Sequence, residues 1–172
     1  LLMAAPVLLG MIIAAPLIIE VLYSKSFSPA VEILRWQVIG DVFKIIGWPM
    51  GFIVLAMGRG DIFIATQLNW NAFYLVSEWL GIEKFGLVIL GVGFLFAYVV
   101  QVIVVRIVAG KIIGFRPEPR NIVHFSFLLA SVCLVLIISY RDPHMIYLVG
   151  VAMILPFCIH SAWRLRSVLH KP

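Results

Sequence analysis

From Phe85 to Val105 the chain carries no charged side chain, and five other long stretches are mostly apolar. A helix needs roughly 20 mostly apolar residues to cross about 30 Å of hydrocarbon. Six segments have that length and character: 1–23, 29–57, 61–80, 85–105, 121–140 and 145–163. Their apolar runs are continuous, whereas the strands of a barrel alternate over about ten residues, so helices are expected. Hydrophobic residues make up 63% of the 172, charged residues 12%, and the mean hydropathy is +1.12. A soluble domain is nearer to about 45–50% apolar and about 25% charged. A water-soluble fold of this size has too little polar cover for that surface. The sequence therefore excludes a soluble enzyme, a secreted disulfide scaffold and a disordered tail, and predicts an all-α polytopic membrane bundle of about six helices.

The breaks between segments have local causes. Ser28 is expected to cap the second helix with its hydroxyl, and Pro29 fits a first helical turn. Gly58 to Asp61 and Gly81 to Lys84 read as polar turns, Gly110 to Arg120 as the longest connector, and Arg141 to His144 as the last hairpin. Alternate connections differ in basic residues: Arg59, Lys111, Arg116, Arg120, Arg164, Arg166 and Lys171 fall on one side, Lys25, Lys84 and Arg141 on the other. The richer side is expected to be cytoplasmic, with the C-terminus on it. Tyr23, Trp79, Tyr140 and Trp163 sit near span ends, as interfacial aromatics do. The net charge of +5 therefore reports orientation, not nucleic-acid binding. Cys133 and Cys158 lie inside apolar runs and read as small buried hydrophobes. The start, Leu1 to Pro6, lacks an initiator Met and a basic n-region, so residues 1–172 are expected to be the C-terminal part of a longer protein.

The second span differs from the others. It carries Glu32, Arg35, Gln37, Asp41 and Lys44. Each ion near the bilayer centre costs about 2.5–3.5 kcal/mol on insertion scales, so such groups face protein or a watery cavity. Gln37, Asp41, Lys44 and Trp48 follow the i, i+4, i+7, i+11 rhythm of one helix face. Asp41 and Lys44 can pair; so can Glu32 and Arg35, on another face. The third span repeats the pattern with Gln67, Asn71, Tyr74 and Glu78, with Asn69, Trp70 and Ser77 adding polarity. The simplest arrangement turns both stripes toward one aqueous cavity. The alternative is that the polar groups only glue helices together, and an Asp41–Lys44 pair of purely structural purpose is its strongest form.

Weaker signals follow. Pro49 removes a backbone donor and is expected to kink or loosen the second helix. Gly86, Gly91 and Gly93 allow close helix approach. Arg106 reads as a snorkelling anchor. Trp36, Trp48 and Trp70 suit either sugar stacking or buried packing. His124, His144 and His160 lack metal-ligand spacing. No nucleophile elbow, phosphate loop, zinc-protease motif or catalytic carboxylate pair occurs, so neither an enzymatic activity nor a cofactor is expected.

Tyr23-Ser24-Lys25-Ser26-Phe27, Pro29-Ala30, Leu34-Arg35-Trp36-Gln37, Gly40-Asp41, Lys44 and Trp48 together resemble the characteristic stretch of O-antigen flippases. These are polysaccharide-lipid translocases of the multidrug/oligosaccharidyl-lipid/polysaccharide exporter superfamily. Phe85-Gly86-Leu87 with Gly91, Gly93 and Tyr98 is similar to a late helix of that family. The resemblance runs from Leu1 to about Phe115; the last two spans match by hydropathy alone.

The resemblance implies a transporter of two pseudo-symmetric lobes in the bacterial inner membrane, of which residues 1–172 would form most of the C-terminal one. It implies transfer of an undecaprenyl-pyrophosphate-linked oligosaccharide from the cytoplasmic to the periplasmic leaflet by alternating access, as in lipopolysaccharide biosynthesis. Partners would be that lipid-linked oligosaccharide, the N-terminal lobe and other glycan-assembly proteins, without nucleic acid. On this reading Arg35 and Lys44 contact the diphosphate or acidic sugars, since arginine offers a planar donor fork and lysine a point charge. Asp41, Gln37, Gln67 and Asn71 bind sugar hydroxyls or hold the cations, and Asp41 and Glu78 are candidates for ion coupling. Alternatives are a cation-coupled drug exporter of the same superfamily, in which acidic residues would dominate the cavity, or a membrane protein of glycan assembly that transports nothing.

Overall fold

The computed structural model describes residues 4–141 and 145–169, and in the last helix the side chains of 145–161 except 147. Six helices follow one another: α1 (Ala4–Leu22), α2 (Ala30–Ala56), α3 (Gly60–Phe85), α4 (Ile89–Ile113), α5 (Pro119–Arg141) and α6 (Met145–Leu169). Short 3-10 turns at Lys25–Phe27 and Gly86–Val88 join α1 to α2 and α3 to α4, and no strand occurs among the described residues. The chain is an all-α membrane bundle. Among the described residues four helical stretches are long and apolar enough to cross a bilayer: Ala4–Leu22, Ala30–Ala56, Gly60–Ile113 and Pro119–Arg141. The third folds back on itself as α3 and α4, and α6 contributes the shorter apolar stretch Leu148–Ser161. Large apolar side chains cover the outside, among them Leu68, Trp79 and Leu148, each more than 60% exposed. Such a surface suits lipid and not water.

The helix ends depart from the sequence expectation in three places. The polar residues Gly81 to Lys84 do not form a turn; α3 runs through them to Phe85. The reversal comes at Gly86, whose φ of +61° and ψ of −153° only glycine adopts readily. A helix leaving the hydrocarbon no longer needs apolar residues, so polarity there marks the membrane boundary and not the helix end. For the same reason α4 passes Arg106 and Lys111 and stops at Ile113, capped by left-handed Gly114. Ser28 makes no side-chain cap, because it already has helical dihedrals; its carbonyl instead accepts from the Val31 amide at 3.1 Å. Pro16, Pro49 and Pro156 all lie inside continuous helices, and α2 is unbroken at Pro49. The expected hairpin at 142–144 and the side chains of Trp163, Arg164, Arg166 and Lys171 lie outside the described residues, as does His144.

The main core joins α1, α2, α5 and α6. Leu9 and Ile12 of α1, Val38 and Val42 of α2, and Leu128 and Val132 of α5 are almost fully buried there, with Ile146 and Phe157 of α6. The α3–α4 hairpin packs on the opposite side of α2, mainly through α4. This places α2 in the middle, with one face on the core and the other on α4. Glycines set the second contact. A Cβ on Gly91 would lie 2.6 Å from the Ile33 carbonyl and 2.8 Å from the Trp36 Cβ, and one on Gly40 would meet the Phe94 ring at 2.7 Å. Gly93 faces the Ser77 hydroxyl of α3 in the same way. The close approach expected at Gly91 and Gly93 is therefore real, whereas Gly86 touches no neighbour and serves the turn. Cys133 is half-buried and Cys158 exposed, both as free thiols, so Cys158 is a surface residue and not the buried hydrophobe expected.

Candidate functional site

Because α2 is central, its charged residues divide between its two faces. Near the start of the helix, Glu32 and Arg35 do not form an ion pair among the described residues. Both engage Tyr140 at the end of α5: its hydroxyl donates to the Glu32 Oε1 at 3.3 Å, and the Arg35 guanidinium carbon lies 5.9 Å from its ring centroid. The expected direct pairing is replaced by an aromatic bridge. The Arg35 Nε is buried and has no hydrogen-bond partner, as is the Trp36 Nε1. Trp36 packs against the core.

The other face points at the α3–α4 hairpin. Lys44 Nζ lies 3.4 Å from Asp41 Oδ1, and the two side chains are 29% and 26% exposed. The ammonium also stands 4.9 Å from the Trp48 ring, 5.8 Å from Phe94 and 5.7 Å from Tyr98. Each distance is within the roughly 6 Å over which a ring face attracts a cation. The rings form one cluster. Phe94 and Tyr98 are 4.7 Å apart, Tyr98 and Trp70 5.0 Å, and Trp70 stacks on Tyr74 at 5.6 Å. An ammonium that would otherwise cost a few kcal/mol in a membrane helix is thus held by one carboxylate and three aromatic faces.

Below Lys44, a cavity of about 260 Å³ opens between α2, α3 and α4. Five aromatic rings line it: Trp48 and Phe52 from α2, Phe63 and Trp70 from α3, and Tyr98 from α4. Its amides are Gln67, Asn71 and Gln101. Asn71 Nδ2 donates to the Gln67 carbonyl at 2.9 Å, which fixes its rotamer along α3. The Gln101 side chain is buried, and its Oε1 has no hydrogen-bond partner. A buried amide oxygen without a partner costs about 1–3 kcal/mol, so it is set to accept from whatever enters.

Of the residues singled out in the sequence, Gln67 and Asn71 line this cavity, and Trp48 and Trp70 line it with them. Asp41 and Lys44 adjoin it through the Trp48 and Tyr98 rings but do not line it. Gln37 is half-buried further along α2, Glu78 half-buried further along α3, and Arg35 is on the other face of α2; none of the three borders the cavity. The two stripes therefore converge only in part, and the wall they share is more aromatic than ionic. Gln101 escaped the sequence reading because it is a lone amide in an apolar run. Its signal was the three-residue step from Tyr98, which places both on one face of α4. Among the described residues no group of three His, Cys, Asp or Glu side chains comes together as a metal site would need. Compared with protein families, curated proteins and solved structures, the chain has no match.

Proposed function

We propose that this bundle is one lobe of an alternating-access translocase that carries a lipid-linked oligosaccharide across the bacterial inner membrane, its C-terminus in the cytoplasm. The observation that carries the reading is the aromatic and amide cavity between α2, α3 and α4 beside the caged Lys44. Sugars present apolar C–H faces that stack on rings and hydroxyls that pair with amides. Trp48, Trp70 and Tyr98 supply the first kind of surface; Gln67, Asn71 and Gln101 supply the second. Lys44 would attract the diphosphate or an acidic sugar as a point charge, and Arg35 would do so from the other face of α2 as substrate passes between lobes. Among the described residues no carboxylate lines the cavity, which favours a glycan cargo over a drug exporter whose cavity acidic residues would dominate.

Charge reversal tests the reading in the intact cell. Arg35→Glu and Lys44→Glu, each at normal expression and membrane insertion, should block assembly of the surface glycan. Wild-type glycan levels in both variants would overturn the role of the two cations.

A further inference from the structure

A second and larger cleft lies at the arginine-bearing end of the bundle, between α2, α4 and α5, away from the aromatic cavity. Its volume is about 810 Å³, within the roughly 300–1,000 Å³ of small-molecule sites. Most of its lining is apolar, including Ile46 and Ile53 from α2 and Val102 from α4. Arg106 near the end of α4, Arg120 in the first turn of α5 and His124 one turn further on add basic side chains to that lining. Among the described residues no Asp or Glu lines it. Glu118, just outside, stands 3.6 Å from Arg120, but these side chains are 56% and 59% exposed, so the pair is weak and readily exchanged.

Two arginines in a largely apolar recess are a poor fit for a soluble anion and a good fit for an amphiphile. Arginine matches the planar oxygens of a phosphate with a donor fork. Basic recesses between membrane helices at one face of the bilayer bind anionic lipid headgroups on these grounds. The first turn of α5 also presents the positive end of a long helix to the same space. We propose that this cleft holds an anionic phospholipid, its phosphate on Arg106 and Arg120 and an acyl chain along Ile46, Ile53 and Val102. The site is separate from the proposed transport cavity, so it stands or falls without it.

The test uses the purified chain in nanodiscs of phosphatidylcholine doped with phosphatidylglycerol, with retained lipid counted by native mass spectrometry. Wild type should keep phosphatidylglycerol in preference to phosphatidylcholine. Arg106→Gln with Arg120→Gln should lower that preference by about 25-fold, as two cations worth roughly fivefold each. Arg59→Gln with Lys111→Gln removes equal charge outside the cleft and should leave it nearly intact. Equal retention of the two lipids, or the same loss in both double variants, would overturn the site. So would full displacement of phosphatidylglycerol by millimolar inorganic phosphate, which would assign the cleft to a soluble anion. A co-purified protein segment filling the cleft in place of lipid would overturn it as well.

Discussion

The Asp41–Lys44 pair allows structure and function to be separated in one set of variants. At 3.4 Å and an effective dielectric of about 20, the two charges attract by about 5 kcal/mol. Both side chains are about a quarter exposed, which places the pair between surface bridges worth under about 1 kcal/mol and buried ones whose disruption costs about 3–5 kcal/mol. A coupling of about 1–3 kcal/mol is expected. Lys44→Met strands the Asp41 carboxylate in a membrane helix and should be the more damaging single change. Asp41→Asn leaves Lys44 its three rings and should cost less. The double variant Asp41→Asn/Lys44→Met should be more stable than the sum of the two losses. Reversible unfolding in mixed micelles, followed by circular dichroism, measures each corner of the cycle. Additivity within about 0.5 kcal/mol would refute a physical pair. The same variants decide the functional question: a purely structural pair predicts that the double variant regains glycan assembly, while direct contact with an anionic cargo predicts that it stays inactive.

Other outcomes follow from the packing. Gly91→Ala drives a methyl into the Ile33 carbonyl and should destabilise the bundle by about 1–3 kcal/mol, read in the same unfolding assay. Gly86→Ala meets no neighbour but forces a strained dihedral, and should cost about 1–3 kcal/mol through the backbone alone. In a cysteine-free background, thiols placed at 67, 71 and 101 should react with a water-soluble maleimide, while a thiol restored at 158 on the outer surface should react slowly; silence at all three would mean a dry cavity. Tyr140→Phe removes the donor to Glu32 and keeps the ring beneath Arg35, so it should cost only about 0.5–1.5 kcal/mol in thermal unfolding.

What the sequence reveals here is mostly what depends on neighbours along the chain. Apolar run length located six helices, and the i, i+3 step brought Asp41 to Lys44. Helix ends were less legible, because Lys84 and Lys111 report where hydrocarbon stops while the backbone hydrogen bonds continue to Phe85 and Ile113. Partners across the fold were least legible. Nothing local to Lys44 specifies that Phe94 and Tyr98 will roof it, and nothing local to Arg35 specifies Tyr140. Arg106, Arg120 and His124 are spread over two segments, and only the packing of α2, α4 and α5 gathers them around one recess.

The missing side chains at Gly40 and Gly91 have a mechanical consequence. With the Ile33 carbonyl and the Trp36 Cβ seated where a methyl would otherwise stand, a slip of one residue between α2 and α4 puts Leu90 or Val92 into that notch, where neither fits. The two helices are keyed together like teeth, and sliding one past the other meets a steric barrier at these notches.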